Sequence, residues 1–363
     1  MKIYCTNCHR PYPEKGVPFR CEACGGVYDL EGPLHFDASL VEKGQPGIWR
    51  YRNTFEMPDG EAVISLGEGN TPLVWGKVVG QEAAFKCEFL NPSGSFKDRG
   101  TATLVSFLRA RGVSEAVEDS SGNAGASFAA YAARGGIKAR VFVPEAASGP
   151  KRSQIAAYGA EVVSVPGPRT NAAEAVRRAA EAGAIYASHA YLPFNIPGYA
   201  TLAYELVEQL GDTAFSVVLP TGQGGLLLGV QRGFEALWKA GRIQQMPKLV
   251  GVQARACAPL WALSAYGPAG LQWISEGQTV AEGIRVRYPI RGDAVVRAVE
   301  ATGGMFVAVD EEDILVGRDE LARQGFYVEN TSAVVWKAIQ AIRGKVPEPI
   351  VAVLTGSGLK NVA

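Results

Sequence analysis

From about Leu90 to the end of the chain, helical patterns take turns with short β-branched runs, and this alternation restricts the fold more than any other feature. It predicts helices near Arg99 to Arg111, Ala124 to Arg134, Pro150 to Tyr158 and Asn171 to Ala182. Strands are expected between them over Ala139 to Pro144, Glu161 to Val165 and Ala184 to Ala187. After Gly198 a second series begins, with helix Tyr199 to Leu210, strand Phe215 to Leu219, helix Leu226 to Ala240 and strand Lys248 to Gln253; a last strand covers Ile350 to Leu354. Strands separated by helices pair in parallel under a helical cover, so the fold class is α/β. Pro220 has no N–H to give to a ladder and closes its strand ahead of a Gly-rich turn. Turns of this kind lie at the carboxyl ends of strands, where open α/β sheets bind ligands.

At 363 residues the chain is long enough for two or more cores. Lysine plus arginine (36) balances aspartate plus glutamate (36), so no net field draws nucleic acid or an anionic membrane, and a small molecule is the expected partner. The opening Met1-Lys2-Ile3-Tyr4-Cys5 lacks the apolar run of a secretory signal, and no long apolar stretch follows, which gives a cytoplasmic expectation. In a reducing compartment the six cysteines are metal ligands or buried thiols rather than disulfides.

Cys5-x2-Cys8 and Cys21-x2-Cys24 stand twelve residues apart, each pair followed by turn-prone residues. Two such knuckles complete a closed tetrahedral thiolate site, which makes a structural zinc ion the leading reading. A redox pair or a metal-free knuckle are the alternatives, and His9 is too close to Cys8 to serve well as a ligand. Cys87, in the strand-like Ala83 to Leu90, and Cys257, in Val252 to Leu260, read as buried thiols. Glu31 to Asp59, with Trp49, Tyr51 and Phe55 at irregular spacing, reads as a connecting arm packed onto the body.

Lys97 sits in Gly94-Ser95-Phe96-Lys97-Asp98-Arg99-Gly100, on a Gly/Ser-rich turn where a helix begins. A lysine fixed there, with Ser95 or Asp98 to satisfy free N–H groups, can join a carbonyl as a Schiff base and later move protons; a lone lysine is more often solvated. Thr221 to Gly225 directs backbone N–H groups at one point where a helix opens, which suits an anion, although a tight connection needs glycine equally. Ser120 to Gly125 is either a ligand-binding turn or a Ser/Asn N-cap worth about 1 kcal/mol, and the two are compatible. Leu354 to Gly358 carries the hydroxyls of Thr355 and Ser357 after the last strand.

The whole string Asn91 to Gly100 resembles the Schiff-base lysine motif of fold-type-II pyridoxal-phosphate enzymes and, within them, of the threonine synthases. The likeness runs from Ser65 to Lys360 and includes Gly67 to Leu73 and Ala281 to Ile284. It implies a fold like that of the tryptophan synthase β subunit, with two parallel-sheet α/β domains behind a zinc ribbon. The implied division is 1–34 for the ribbon, 35–90 with 186–363 for the large domain, and 91–185 for the small one. By the same resemblance Lys97 carries pyridoxal 5'-phosphate and Asn123 bonds its phenolic oxygen. Gly222, Gln223, Gly224, Gly225 and Leu226 receive its phosphate, and Thr355 bonds its pyridine nitrogen. Ser120, Ser121 and Asn195 face the substrate and the enzyme is a homodimer; from their own positions, His189 at a strand end is a further candidate substrate contact, and Cys5, Cys8, Cys21 and Cys24 are the candidate zinc ligands. A neutral hydroxyl beside the pyridine nitrogen favours elimination and replacement over transamination.

The implied activity is conversion of O-phospho-L-homoserine and water to L-threonine and phosphate. Against that, the stretch resembling the family's phosphate-gripping segment has Asn195 in place of arginine, Pro197 in place of glutamate and Ala200 in place of lysine. An uncharged amide forms a bond about half as strong as a charge-assisted one. His189, Lys151 and Arg152 are the other basic candidates, and Asn330 stands after Glu329 where relatives carry proline. The alternative is an enzyme that eliminates or replaces at Cβ of serine, threonine or an activated serine. A third reading gives the ribbon to partner recruitment.

Overall fold

The computed structural model describes residues 2–55, 63–146 and 149–361, so positions 56–59 of the expected arm lie outside the described residues. Strands β1 (Ile3–Cys5) and β2 (Tyr28–Leu30) pair antiparallel, as do β3 (Leu73–Val78) and β4 (Gln81–Lys86). Helices and strands then alternate as α1 (Lys97–Ala110), β5 (Glu115–Glu118), α2 (Asn123–Arg134), β6 (Lys138–Pro144), α3 (Pro150–Ala157), β7 (Glu161–Val165) and α4 (Arg169–Glu181). The second series is α5 (Ile196–Leu210), β8 (Ser216–Pro220), α6 (Gly225–Lys239), β9 (Lys248–Ala254) and α7 (Pro259–Tyr266). It ends with α8 (Gly292–Ala301), β10 (Met305–Val309), α9 (Glu311–Arg323), α10 (Asn330–Ile342) and β11 (Ile350–Val353). The chain divides into two compact units, one of residues 1–69, 91–198 and 361–363, the other of 70–90 and 199–360.

The first unit is built on a parallel sheet in the order β5-β6-β7. The expected strand Ala184 to Ala187 does not form; only Tyr186 makes a parallel bridge, to Val117, with N–H groups of Val117 and Ala187 donating across it. The chain turns away at once because the Ser188 hydroxyl accepts from the N–H groups of Ala190 and Tyr191. Asp98, fully buried in the first turn of α1, accepts from Ser93 N (2.6 Å), Ser93 Oγ (2.5 Å) and Ser127 Oγ of α2 (2.6 Å). It therefore ties the turn before Lys97 to two helices, and charge-assisted bonds of this kind are the strong ones.

The arm packs within the same unit through Glu68. That buried carboxylate accepts from Trp49 Nε1 and Tyr131 OH, both at 2.7 Å, and from the N–H of Leu66 at 2.9 Å. The N-terminal segment docks through aromatic rings. Tyr12 lies edge-on to Phe194 of the Pro193–Asn195 turn, which stacks on Phe107 of α1, and Phe19 meets Tyr186 and Tyr191. Arg111 donates to the carbonyls of Pro13 and Gly16, and Arg20 to the hydroxyl of Tyr191 at 2.6 Å. Such ring pairs contribute roughly 0.5–1.5 kcal/mol each beyond area burial.

The second unit carries a six-stranded sheet in the order β10-β9-β8-β11-β4-β3, parallel except for the edge strand β3. Val218, Val250, Val252 and Ala352 of the sheet share a core with Val334, Val335, Ala338 and Ile339 of α10. The strand-like stretch to Leu90 stops at Lys86, and Glu88–Leu90 is a 3-10 turn. Likewise β9 ends at Ala254, so Cys257 lies in a 3-10 turn; Cys87 and Cys257 are both buried free thiols, as expected. Lys86 is fully buried and donates to Glu205 Oε2 at 2.7 Å, Thr71 O at 2.7 Å and Gln209 Oε1 at 3.0 Å, which compensates its charge. Among the described residues no helix is long and apolar enough to cross a membrane.

Candidate active site

In the first unit Lys97 is the first residue of α1. Phe96 is its N-cap and offers no side-chain bond, so the expected cap by Ser95 is absent; Ser95 Oγ is buried without a partner among the described residues. Lys97 keeps some accessible surface, yet burial of its amine among protein atoms pulls its pKa down from 10.5 to about 8. The charge of Glu118 opposes that shift and the charge of Arg169 adds to it. A lysine so placed is partly unprotonated near neutral pH, as a nucleophile and proton carrier requires.

The Ser120 to Gly125 turn leads from β5 into α2. Gly122 is the N-cap and makes no side-chain bond, which corrects the expectation of a Ser/Asn cap; the Ser120 hydroxyl accepts from the N–H of Gly122 at 3.2 Å. Ser121, Gly122 and Asn123 are half-buried, and the first N–H groups of α2 have no partners within the helix. A side chain at Gly125 would meet the Ser120 carbonyl at 1.8 Å, so the close fold of this turn onto α2 depends on glycine.

The sequence did not point to Glu118 and Asp119, which precede this turn. Glu118 ends β5, is almost fully buried, and has Oε1 2.5 Å from His189 Nδ1, while its Oε2 is buried without a partner among the described residues. Burial pushes its pKa up from 4.5 to about 8 against the pull of Lys97, the Asp119 N–H and Arg169. His189 is driven down from 6.5 to about 3, by burial first and then by the charge of Lys97, so its ring is neutral. Asp119 is raised by burial and by Glu118, and accepts from Tyr186 OH at 2.7 Å. Asn195 is buried and donates to the His189 carbonyl at 2.6 Å. Of the other basic candidates, Arg152 donates to Ser164 Oγ at 2.6 Å. Two acids closing a strand just before a Ser-Ser-Gly-Asn turn were the available signal, hidden because β5 is only four residues long.

In the second unit Thr221 and Gly222 follow β8 and Gly224 caps α6. Gly224 has φ +81°, a left-handed conformation that glycine takes at little cost, and there it exposes the N–H groups that open α6, including those of Gly225 and Leu226. A side chain at Gly222 would approach the backbone of Ile284 at 3.1 Å and of Gly283 at 3.2 Å. Gln223 turns its side chain away to accept from the Ile290 N–H at 3.0 Å, leaving the turn poor in side chains. Thr355, buried just beyond β11, has Oγ1 2.9 Å from Ser332 Oγ, and Ser332 Oγ also accepts from the Gly356 N–H at 2.9 Å. Asn330 is the first residue of α10, a position where an N–H has no helical partner and proline is equally acceptable.

The sulfurs of Cys5, Cys8, Cys21 and Cys24 lie within 4.8 Å of one another. Both knuckles repeat one pattern: the His9 N–H donates to the Cys5 carbonyl and the Cys5 N–H to Arg10, while the Gly25 N–H donates to the Cys21 carbonyl and the Cys21 N–H to Gly26. Across the two knuckles the sulfurs of Cys5 and Cys24 are 3.4 Å apart and those of Cys8 and Cys21 3.6 Å. Those separations are near the sulfur–sulfur edge of about 3.8 Å in a tetrahedron with zinc–sulfur bonds of about 2.3 Å.

A cavity of about 550 Å³ is lined by Glu115, Lys138 and Glu161, the residues that open β5, β6 and β7. It lies at the amino ends of those strands, opposite the end where open sheets bind ligands, and we assign it no role in the chemistry.

Residues 64–356 match the pyridoxal-phosphate dependent enzyme family. The chain belongs to that family. Its fold is the fold-type-II α/β fold: the chain superimposes on a maize serine racemase with a TM-score of 0.69 at 22% identity, covering 81% of this chain and 88% of that one. It matches a T.th. threonine deaminase with a TM-score of 0.65 at 28% identity, covering 79% of this chain and 92% of that one. Among curated proteins, the threonine synthase of Methanocaldococcus jannaschii is 32% identical, with 98% of this chain and 92% of that protein aligned. The threonine synthase of Mycobacterium bovis is 34% identical over 87% of this chain and 89% of that protein.

Proposed function

We propose that this pyridoxal-phosphate-dependent lyase is a threonine synthase, which converts O-phospho-L-homoserine and water to L-threonine and phosphate. The observation that carries the reading is the near end-to-end match to threonine synthases, with 98% of this chain aligned to the Methanocaldococcus protein. The residues fit the cofactor: a half-buried lysine of lowered pKa, a side-chain-poor turn of N–H groups at the start of α6, and a buried neutral hydroxyl pair, Thr355 with Ser332.

Bound pyridoxal phosphate supplies the electron sink that acidifies the C–H bonds of the substrate amino acid. In this reading Lys97 holds the cofactor through Nζ, while Gly222, Gln223, Gly224, Gly225 and Leu226 bind its phosphate through main-chain N–H groups at the positive end of α6. Asn123 orients the ring through its phenolic oxygen, and Thr355 meets the pyridine nitrogen without adding charge. Ser120 and Ser121, with the N–H groups that open α2, bind the substrate carboxylate. Lys97 Nζ takes the Cα proton and returns protons to carbon as the γ-phosphate leaves and water adds at Cβ.

We read the four cysteines as ligands of one structural zinc ion and the ribbon as part of the first unit's packing, since its Tyr12 and Phe19 are embedded among rings of that unit. The enzyme is read as a cytoplasmic homodimer on the strength of the resemblance.

Borohydride reduction of the cofactor-loaded protein followed by peptide mapping tests the assignment: the reading expects the pyridoxyl label on Lys97, and a label elsewhere would overturn it. One observation favours the second reading, elimination or replacement at Cβ of serine, threonine or an activated serine. The Asn195 amide, which stands where relatives carry arginine, is engaged with the His189 carbonyl, and His189 is uncharged. Ammonia and a 2-oxo acid from L-threonine, with no phosphate from O-phospho-L-homoserine, would select that reading.

A further inference from the structure

We propose that Ser332 sets the sense of the Thr355 hydrogen bond: the Ser332 hydroxyl donates to Thr355 Oγ1, so that the Thr355 O–H is left to donate to the pyridine nitrogen of the cofactor, which stays unprotonated. The proposal rests on Thr355 as the residue at that nitrogen and deepens that reading by naming the side chain that orients it.

Two segments of the second unit bring these hydroxyls together. Thr355 lies just past β11, and Ser332 is the third residue of α10. Val328 and Ser357 form an antiparallel bridge, the Gly358 N–H donates to the Tyr327 carbonyl at 3.0 Å, and the Glu329 N–H donates to the Gly356 carbonyl at 2.9 Å. The start of α10 is thereby locked against the turn after β11. Ser332 is fully buried and Thr355 nearly so, which keeps bulk water from competing for either hydroxyl.

The available donors and acceptors assign the hydrogens. A hydroxyl has one hydrogen to give and two positions at which to accept. Ser332 Oγ accepts from the Gly356 N–H at 2.9 Å. Its own hydrogen has two oxygens in range: Thr355 Oγ1 at 2.9 Å, and the Gly356 carbonyl at 3.4 Å, which already accepts from Glu329. The shorter contact, to an oxygen with no other hydrogen bond among the described residues, takes the hydrogen. Thr355 then accepts from Ser332 and has its own hydrogen left to give, and a hydroxyl whose oxygen accepts a bond is the stronger donor. The Gly356 N–H, Ser332 and Thr355 form a chain that runs one way and ends in a neutral donor. A ring nitrogen that accepts from this donor carries no proton of its own. Ser332 acts through Thr355 and is therefore a positioning residue.

The test loads the enzyme with pyridoxal phosphate carrying nitrogen-15 in its ring and reads the nitrogen resonance. That resonance separates a protonated ring, an unprotonated ring that accepts a hydrogen bond, and an unprotonated ring with no donor. Wild type is expected at the unprotonated, hydrogen-bonded position. Ser332→Ala is expected to move the resonance toward that of a ring with no donor and to weaken cofactor binding roughly fivefold, and Ser332→Thr, which keeps the hydroxyl, to restore both. In a Thr355→Val background Ser332→Ala is expected to move the resonance no further, whereas a merely structural defect would act in either background. A protonated ring in wild type, or a resonance that Ser332→Ala leaves in place, overturns the proposal. A resonance that Thr355→Val leaves in place instead defeats the underlying reading of Thr355. Should Ser332→Ala not fold, the wild-type resonance decides: an unprotonated, hydrogen-bonded ring supports the donor sense of Thr355, and a protonated ring, to which Thr355 could only be an acceptor, contradicts it.

Discussion

Asn195 donates its side-chain amide to the main-chain carbonyl of His189 at 2.6 Å, and Asn195 belongs to the segment where this sequence departs from the threonine synthase pattern. The amide is a tie within the 188–195 turn, and the ring it steadies is the one that meets Glu118. Asn195→Ala leaves the His189 carbonyl without its donor and is expected to lower stability by roughly 1–3 kcal/mol in urea unfolding. A loss below the error of the unfolding experiment would show that the tie matters little.

Asp98 anchors the turn that presents Lys97. Replacing it with alanine strands Ser93 N and two hydroxyls in the core, with an expected cost of roughly 2–4 kcal/mol. Ser127→Ala removes one neutral donor and is expected to cost only about 1 kcal/mol. Equal losses for the two variants would mean that the carboxylate is not the hub.

Much of this arrangement was readable in the sequence, and the part that was not has physical reasons. The helix starting at Lys97, the strand Glu161 to Val165 and the turn before α6 follow from periodicity and from glycine placed after a β-branched run. Strand β5 was missed because its four residues include two glutamates, Glu115 and Glu118, and burial of the second is a tertiary effect that no local pattern announces. The strand expected at Ala184 to Ala187 has the right residues but one partner, so it ends after a single bridge. The cysteines, Lys97 and the glycine turn stood out because spacing carries their chemistry. The meeting of Glu118 with His189, 71 positions apart, and of Ser332 with Thr355 depends on topology.

The ribbon leads to a prediction about metal. Elemental analysis is expected to find one zinc ion per chain, and stripping it with a chelator is expected to lower the thermal midpoint, because metal binding to such sites contributes directly to folding. Since Tyr12 and Phe19 pack on Phe194, Tyr186 and Tyr191, the Tyr186 to Asn195 segment should gain hydrogen exchange when the metal leaves. Metal-free protein of unchanged stability would remove zinc from the account.

Glu118 also has a signature in stability. Its folded pKa, about 8, is above the ordinary 4.5, so between these values the folded state binds more protons than the unfolded state and stability falls as pH rises. Glu118→Gln lacks this dependence. The difference in thermal midpoint between the glutamine variant and wild type is therefore expected to grow in favour of the variant from pH 4.5 to 8. A difference that stays flat across that window would mean that Glu118 titrates as an ordinary carboxylate.

The most direct test of the central claim is to supply the pyridoxal-phosphate-loaded enzyme with O-phospho-L-homoserine and follow L-threonine and inorganic phosphate together. The account expects both to appear in equal amounts, and neither with Lys97→Ala. Absence of both products while the cofactor band of the wild-type enzyme stays intact would contradict threonine synthesis and turn attention to substrates derived from serine and threonine.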